Sequence, residues 1–452
     1  MPALSATDLQ KFIQQHKWAD LKKNLINLPV ADIAEILQEL SPKDILLILR
    51  LFPQEKQADI FSELDRETRK TILNSLSDEQ IKALLEELNS DERTELFEQL
   101  SPKLTQRLLN FLTPAQRKML LKFLDYPENS VGRMITTEYV ALKVHWPIAK
   151  AEEHIRKHGK DAETIDMVYV VDDDWKLLDD IPIRRIILAD PGKKVSDIMD
   201  HHFISINAYA DQEEAIQVFR KYNLTALPVV DDENHFLGIV TIDDILDAIQ
   251  EENTEDFAKF GGVEVESSDL NFITNLREVP IGKIYKSRIV WLLALLIMDL
   301  LTGGIIQSFE NTIAKYVVLV TFLPVLVDTA GNAGSQSATL VIRALALGTV
   351  DKKDWLYLLG KEMLVAGLIG LTMGFGISFM GIIRGKSWQI AEVVVLAMIL
   401  NVIIGSLIGI LLPFIFAKFK KDPATASTPL ITTLADIIGT AVFLGMAALI
   451  LH

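Results

Sequence analysis

Apolar residues recur at helical spacing from about residue 8 to residue 127, in short runs such as DILLILRLF and IKALLEEL. The runs are broken about every 12 residues, at Ser41-Pro42, Phe52-Pro53, Asp65, Ser77, Ser90, Ser101-Pro102 and Thr113-Pro114. Ser, Asp and Thr suit helix N-caps, and Pro suits the first helical turn. Helices this short do not persist alone, so the pattern predicts an all-α superhelix of stacked short helices.

The period changes at residue 131. Two successive units share one grammar: a Met-containing turn (VGRMITTEYVAL, VSDIMDHHFISI), a helix (AEEHIRKH, QEEAIQVFRKY), an apolar strand with an acidic turn (VYVVDDD, LPVVDDE), and a closing strand and helix (IPIRRIIL, GIVTIDDILDAI). Strands alternating with helices predict an α/β pair by duplication. LPVVDDENHFLGIVTIDDIL resembles a CBS domain. The first copy departs from that pattern: Leu178-Asp179-Asp180-Ile181-Pro182 stands for the usual Gly-containing turn, and Arg184-Arg185 for the expected acid. CBS pairs often bind adenine nucleotides, so the resemblance admits ATP here.

Residues 241–262 read as one acidic helix ending at a Gly pair that serves as its C-cap. Asp244, Asp247, Glu251 and Glu255 fall on one face, which reads either as a solvated connector or as a divalent-cation face. A polar-to-amphipathic lead-in over 263–288 follows. Five apolar stretches then run at about 289–309, 317–347, 356–382, 390–416 and 428–451, each long enough to cross ~30 Å of hydrocarbon. The domain scheme expected is a helical N domain over 1–130, a CBS pair over 131–250, an acidic plug-like connecting helix and linker over 241–286, and a five-helix transmembrane domain over 287–452.

Charge divides the chain the same way. Ten Lys and Arg and nine Asp and Glu fall in residues 291–452, leaving 35 and 52 before them, a net charge of −17. Such a front half suits cations and not nucleic acid, which needs positive surface. With no cysteine, disulfides, thiolate metal sites and Cys nucleophiles are excluded. The start of the chain lacks a basic-then-apolar signal pattern. Lys283, Lys286, Arg288, Lys352, Lys353, Lys361, Lys418, Lys420 and Lys421 share one side of the membrane, against Lys315, Arg384 and Lys386 on the other. Both features predict a cytoplasmic front half and an outside C-terminus in a plasma membrane. No Walker-type phosphate loop is present, and an enzyme is not expected.

The last stretch, STPLITTLADIIGTAVFLGMAALIL, carries one ionisable residue, Asp436. A carboxylate at bilayer depth is costly unless it faces protein, water or a cation. Thr428, Thr432, Asp436 and Thr440 recur every four residues, a polar line along an apolar helix. The second stretch has its own line, Gly331, Ser335 and Thr339, with Asn332 and Gln336 adding amides. Helix packing explains some of these residues, and a wet path explains so many in one span. Asp299 and Asp328 are two further membrane acids with no partner legible in the sequence.

GNAGSQSATLVIRALALG followed by a TPLITTLADIIG final span resembles the MgtE family of magnesium channels, and the resemblance runs over essentially the whole chain. It implies a homodimer with the second and fifth spans lining a Mg²⁺ pore: Asp436 as pore carboxylate, with Ser335, Thr339, Thr428 and Thr432 along the path. Ser335 stands where some members have Asn. It implies regulatory Mg²⁺ at Asp59, Asp91 and Glu95 of the N domain, Asp211 and Glu213 of the second CBS copy, Asp244, Asp247, Glu252, Glu255 and Asp256 of the connecting helix, and Asp422 before the last span. One family acid is replaced by Asn223. Mg²⁺ bound there would close the pore, a negative feedback serving magnesium homeostasis. Selectivity over Co²⁺ and Mn²⁺ is left open, as are an ion-coupled exchanger and a nucleotide-sensing membrane protein that transports nothing.

Overall fold

The computed structural model describes residues 6–263, 276, 279–351, 353–419 and 421–451. Most of the lead-in (264–275 and 277–278), and the flanking Lys352 and Lys420, lie outside the described residues. The chain divides into two compact units that meet inside the acidic helix, at Ala248 and Ile249.

The first unit begins with ten short helices among the described residues, from Ala6–Gln14 to Pro114–Leu124. The sequence breaks are their caps. Ser41 accepts from the Asp44 N–H, Asp65 from Glu67 and Thr68, and Ser77 and Thr113 form capping boxes with Gln80 and Gln116. One break shifts by a residue: Asn89, not Ser90, is the cap. Ser90 is instead buried and donates to Glu138 Oε2 at 2.8 Å, while the Thr137 N–H donates to Ser90 Oγ at 2.8 Å. Leu37, Ile48, Ile60, Leu73 and Leu85 are fully buried in one continuous core. Each contributes ~1.5–3 kcal/mol of burial, which is what holds helices too short to stand alone.

The duplicated region follows. Strands β1 (Ala141–Lys143), β2 (Met167–Val171) and β3 (Leu177–Pro182) form one sheet; β4 (Ile206–Asn207), β5 (Ala226–Val230) and β6 (Phe236–Thr241) form the other. In each, the first pair is parallel and the second antiparallel, with an irregularity at the same place, Val170/Val171 and Val229/Val230. The copies touch through a bridge between Lys176 and His235. Leu178 to Pro182, read from the sequence as an altered turn, are extended residues of β3. Asp179 opposes Val170 as Gly238 opposes Val229. A side chain at Gly238 would run into Ile135 and Thr136, whereas buried Asp179 accepts the N–H groups of Asp180, Asp200 and His201. The first copy has therefore exchanged a close backbone approach for a loop clamp.

The acidic helix runs Ile242–Phe260. Its end is the expected Gly pair: Gly262 has φ +72°, and the Val263 N–H reaches back to the Ala258 carbonyl at 2.9 Å.

In the second unit five helices are long and apolar enough to cross a membrane, within Ile281–Ser308, Val317–Ala346, Trp355–Gly385, Trp388–Lys418 and Thr428–Ile450. Two boundaries differ from the sequence reading. The first helix starts at Ile281, so Lys283, Lys286 and Arg288 stand on its opening turns, not before it. The second is preceded by a 3₁₀ segment, Val317–Thr321, and its α-helix starts at Leu323. The second and fourth spans meet backbone to backbone. A Cβ on Gly405 or Gly409 would run into the main chain of Ala330 or Gly334.

Candidate ion path and regulatory acid clusters

The polar lines of the second and fifth spans face one another at one level. A Cβ on Gly331 would meet Thr432 Cγ2 at 3.0 Å. The hydroxyls near this contact are turned to their own helices: Thr432 donates to the Pro429 carbonyl at 3.0 Å and Thr339 to Ser335 at 2.7 Å. Thr428 is half-buried at the first turn, and Ser335 Oγ is shielded with no hydrogen-bond partner. Thr440 departs from the line, being fully buried. Asp436 is half-exposed and has no Lys or Arg paired with it among the described residues.

The charges felt by Asp436 come from Asp299 of the first span and Asp328 of the second. Two other spans thus each place a carboxylate within electrostatic reach of Asp436. The sequence showed each acid but not the convergence, because helix rotation about the bundle is not written in one span's spacing. Asp328 Oδ2 accepts from Asn332 Nδ2 at 3.1 Å. Glu362 of the third span, which sequence reasoning passed over, accepts from Ser337 Oγ at 2.5 Å. Its signal was there: an acid on an apolar span.

In the first unit Asp91 lies within electrostatic reach of Asp244, Asp247 of Glu95, and Asp59 of Glu92. Asp91 Oδ1 is buried without a hydrogen-bond partner. Burial, then the carboxylates of Asp244, Glu92 and Glu163, hold Asp91 well above the usual carboxylate range. Asp244 accepts from Thr241 Oγ1 at 2.9 Å, yet burial and Asp243 push it up to about 7. Burial raises Asp59 and Asp247 too, with Glu55 next for the one and Glu95 for the other. Glu95 is partly engaged already, 2.8 Å from Arg69. The cluster includes acids the sequence did not single out. Glu163 accepts from Asn89 Nδ2 at 2.6 Å and is pushed up to about 7, by burial and then by Asp243 and Glu92.

Asp211 and Glu213 open the helix Gln212–Tyr222, where Asp211 is the N-cap and accepts the Glu213 N–H at 2.9 Å. Asn223 ends that helix with φ +51°, a conformation Asn tolerates. In the first copy Arg185 stands 2.7 Å from Asp200.

In the second unit Glu252 is half-buried. Glu255, Asp256 and Asp422 gather around a lysine that sequence reasoning missed. Lys259 Nζ lies 2.7 Å from Asp422 Oδ2 and also contacts Glu255 Oε1. Burial, then Asp422, pushes Asp256 up to about 6. Phe260 packs with Ala338, Ile342, Ala424, Ala426 and Ile431, and Arg343 donates to Asn253 Oδ1 at 3.0 Å.

The chain is 37% identical over 332 residues to the magnesium transporter MgtE of Thermus thermophilus, covering 72% of this chain and 71% of that one. It belongs to the MgtE family. The magnesium transporter MgtE of Bacillus subtilis is 34% identical over 331 residues, covering 73% and 71%. The MgtE divalent cation transporter domain spans residues 323–446, the MgtE intracellular N domain 28–129, and a CBS domain 195–251, the second copy. The crystal structure of the cytosolic domain of the Mg²⁺ channel MgtE in complex with ATP is similar over 54% of this chain and 99% of that one, with 32% identity and a TM-score of 0.51. The MgtE architecture of helical N domain, CBS pair and five apolar helices is therefore the architecture of this chain.

Proposed function

We propose that this chain carries Mg²⁺ across the plasma membrane as a homodimeric channel, with the domain scheme given above and a cytoplasmic front half. The second and fifth spans line the path, and Asp436 meets the ion. The observation that carries the reading is Asp436 itself: a half-exposed carboxylate, unpaired with any Lys or Arg among the described residues, on a span packed against Gly331. Mg²⁺ sheds its waters reluctantly, so two such carboxylates about a dimer axis receive it through its hydration shell. Thr428, Thr432, Ser335 and Thr339 leave room for that shell.

Cytoplasmic Mg²⁺ closes the path by neutralising the acid clusters. The donor set fits a hard cation: all oxygens, crowded, with the shielded Asp91 Oδ1 lacking a partner. Asp59, Asp91, Glu95, Asp244 and Asp247 belong to the first unit, and Glu252, Glu255, Asp256 and Asp422 to the second. Asp211 and Glu213 complete the set by resemblance. Without the ion the carboxylates repel; with it the compact form is favoured, and several sites together supply the differential affinity a switch needs. ATP at the CBS pair is supported by the relative solved with it.

A coupled exchanger is the second reading. Asp299 and Asp328, within electrostatic reach of Asp436, favour it, since extra carboxylates can carry a proton or Na⁺. Mg²⁺ flux into liposomes, wild type beside Asp436→Ala, tests the assignment; undiminished flux through a well-inserted variant refutes it. Unitary currents in a bilayer distinguish channel from exchanger.

A further inference from the structure

We propose that Lys259 is a tethered cation that holds the end of the acidic helix to the loop before the fifth span, on the same carboxylate oxygens that a regulatory divalent ion would use there. The proposal deepens the gating reading and rests on it for the word regulatory. Three acids, Glu255, Asp256 and Asp422, surround one ammonium that contacts two of them. Glu255 is only 9% exposed, and a buried carboxylate requires a partner.

The seat beneath is built for this contact. Phe260 is packed among Ala338, Ile342, Ala424 and Ala426, and the Gly262 turn lies against Trp291 and Pro429, where a Cβ would meet Trp291 Cδ1 at 2.8 Å. Arg343 ties Asn253 about two turns earlier. The helix end therefore has an ionic tether that needs no added metal. A divalent ion at this cluster must first displace Lys259 from Asp422 and Glu255. The lysine thus supplies a metal-independent share of the closing contact and raises the ion concentration at which the cluster fills.

The chain has no native cysteine, so spin labels on Phe257→Cys and Phe419→Cys report this contact in the full chain in liposomes. In EDTA, wild type and Lys259→Arg should give one narrow distance. Lys259→Met should lose the narrow population roughly tenfold, since charge-assisted hydrogen bonds are removed, and MgCl₂ at constant ionic strength should restore it. Asp422→Asn, as a second variant, should loosen the contact in EDTA likewise. Lys259→Met remaining narrow in EDTA overturns the tether. Lys259→Met remaining broad in MgCl₂ overturns the shared oxygens. The distance is read without transport, so a chain that moves no Mg²⁺ refutes the functional reading and leaves the tether standing.

Discussion

The acid cluster of the first unit should make the compact state pH-sensitive in a specific direction. Asp244 lies at about 7 in the folded chain against an ordinary 3.8, from burial and then Asp243. The folded state therefore binds more protons than the unfolded one between about pH 4 and 7, and stability falls as pH rises through that window. For this one group the whole loss is on the order of 4 kcal/mol, of which the step from pH 6 to pH 8 takes about 1.4 kcal/mol, a factor of ten. In EDTA, cleavage by an added protease between the N domain and the CBS pair should be roughly tenfold faster at pH 8 than at pH 6, after correction for the protease's own profile, because cleavage tracks the opened population. If Mg²⁺ binds the ionised carboxylates as proposed, it should abolish the difference. Asp91→Asn removes one of the facing charges and should flatten the profile in EDTA while weakening the Mg²⁺ effect. Equal cleavage of wild type at both pH values in EDTA would refute the reasoning, since buried, crowded carboxylates cannot then be what opposes the compact state.

Three other outcomes are expected. Gly409→Val should destabilise the transmembrane bundle by about 1–3 kcal/mol through overpacking, read as a lower melting temperature in detergent; an unchanged melt would mean that the close approach to Gly334 is not needed. Ser77→Ala removes a capping box and should cost the N domain about 1 kcal/mol in thermal or denaturant unfolding. Asp328→Asn should reduce Mg²⁺ flux without abolishing it if the path is a channel, whereas complete loss together with loss of proton or Na⁺ dependence would favour the exchanger.

Local rules carried most of the fold. Caps at Ser41, Asp65, Ser77 and Thr113 stand where Ser, Thr, Asp and Pro break the apolar runs, because a cap is decided within four residues. Ser90 failed that rule for a tertiary reason: its hydroxyl is used by Glu138 and Thr137, so Asn89 takes the cap. Correspondence with the Gly-containing turn of the CBS pattern casts Leu178–Pro182 as an altered turn, but these residues pair with β2 as strand. Residue types at the candidate sites were legible; their company was not. Lys259 reads as an ordinary helix-end lysine until Asp422, 163 positions later, is seen beside it. Glu163 reads as a loop acid until Asn89 is seen to reach it.

The glycine seam of the transmembrane half has a mechanical corollary. Where main chains touch with no side chain between them, two rods cannot slide or roll without first parting. The second and fourth spans, joined at Gly405 and Gly409, therefore move as a single plank. Any widening of the proposed conduit would be hinged elsewhere, along the boundary where Gly331 rests against the Thr432 methyl, and a bulkier residue at position 331 should wedge that boundary ajar.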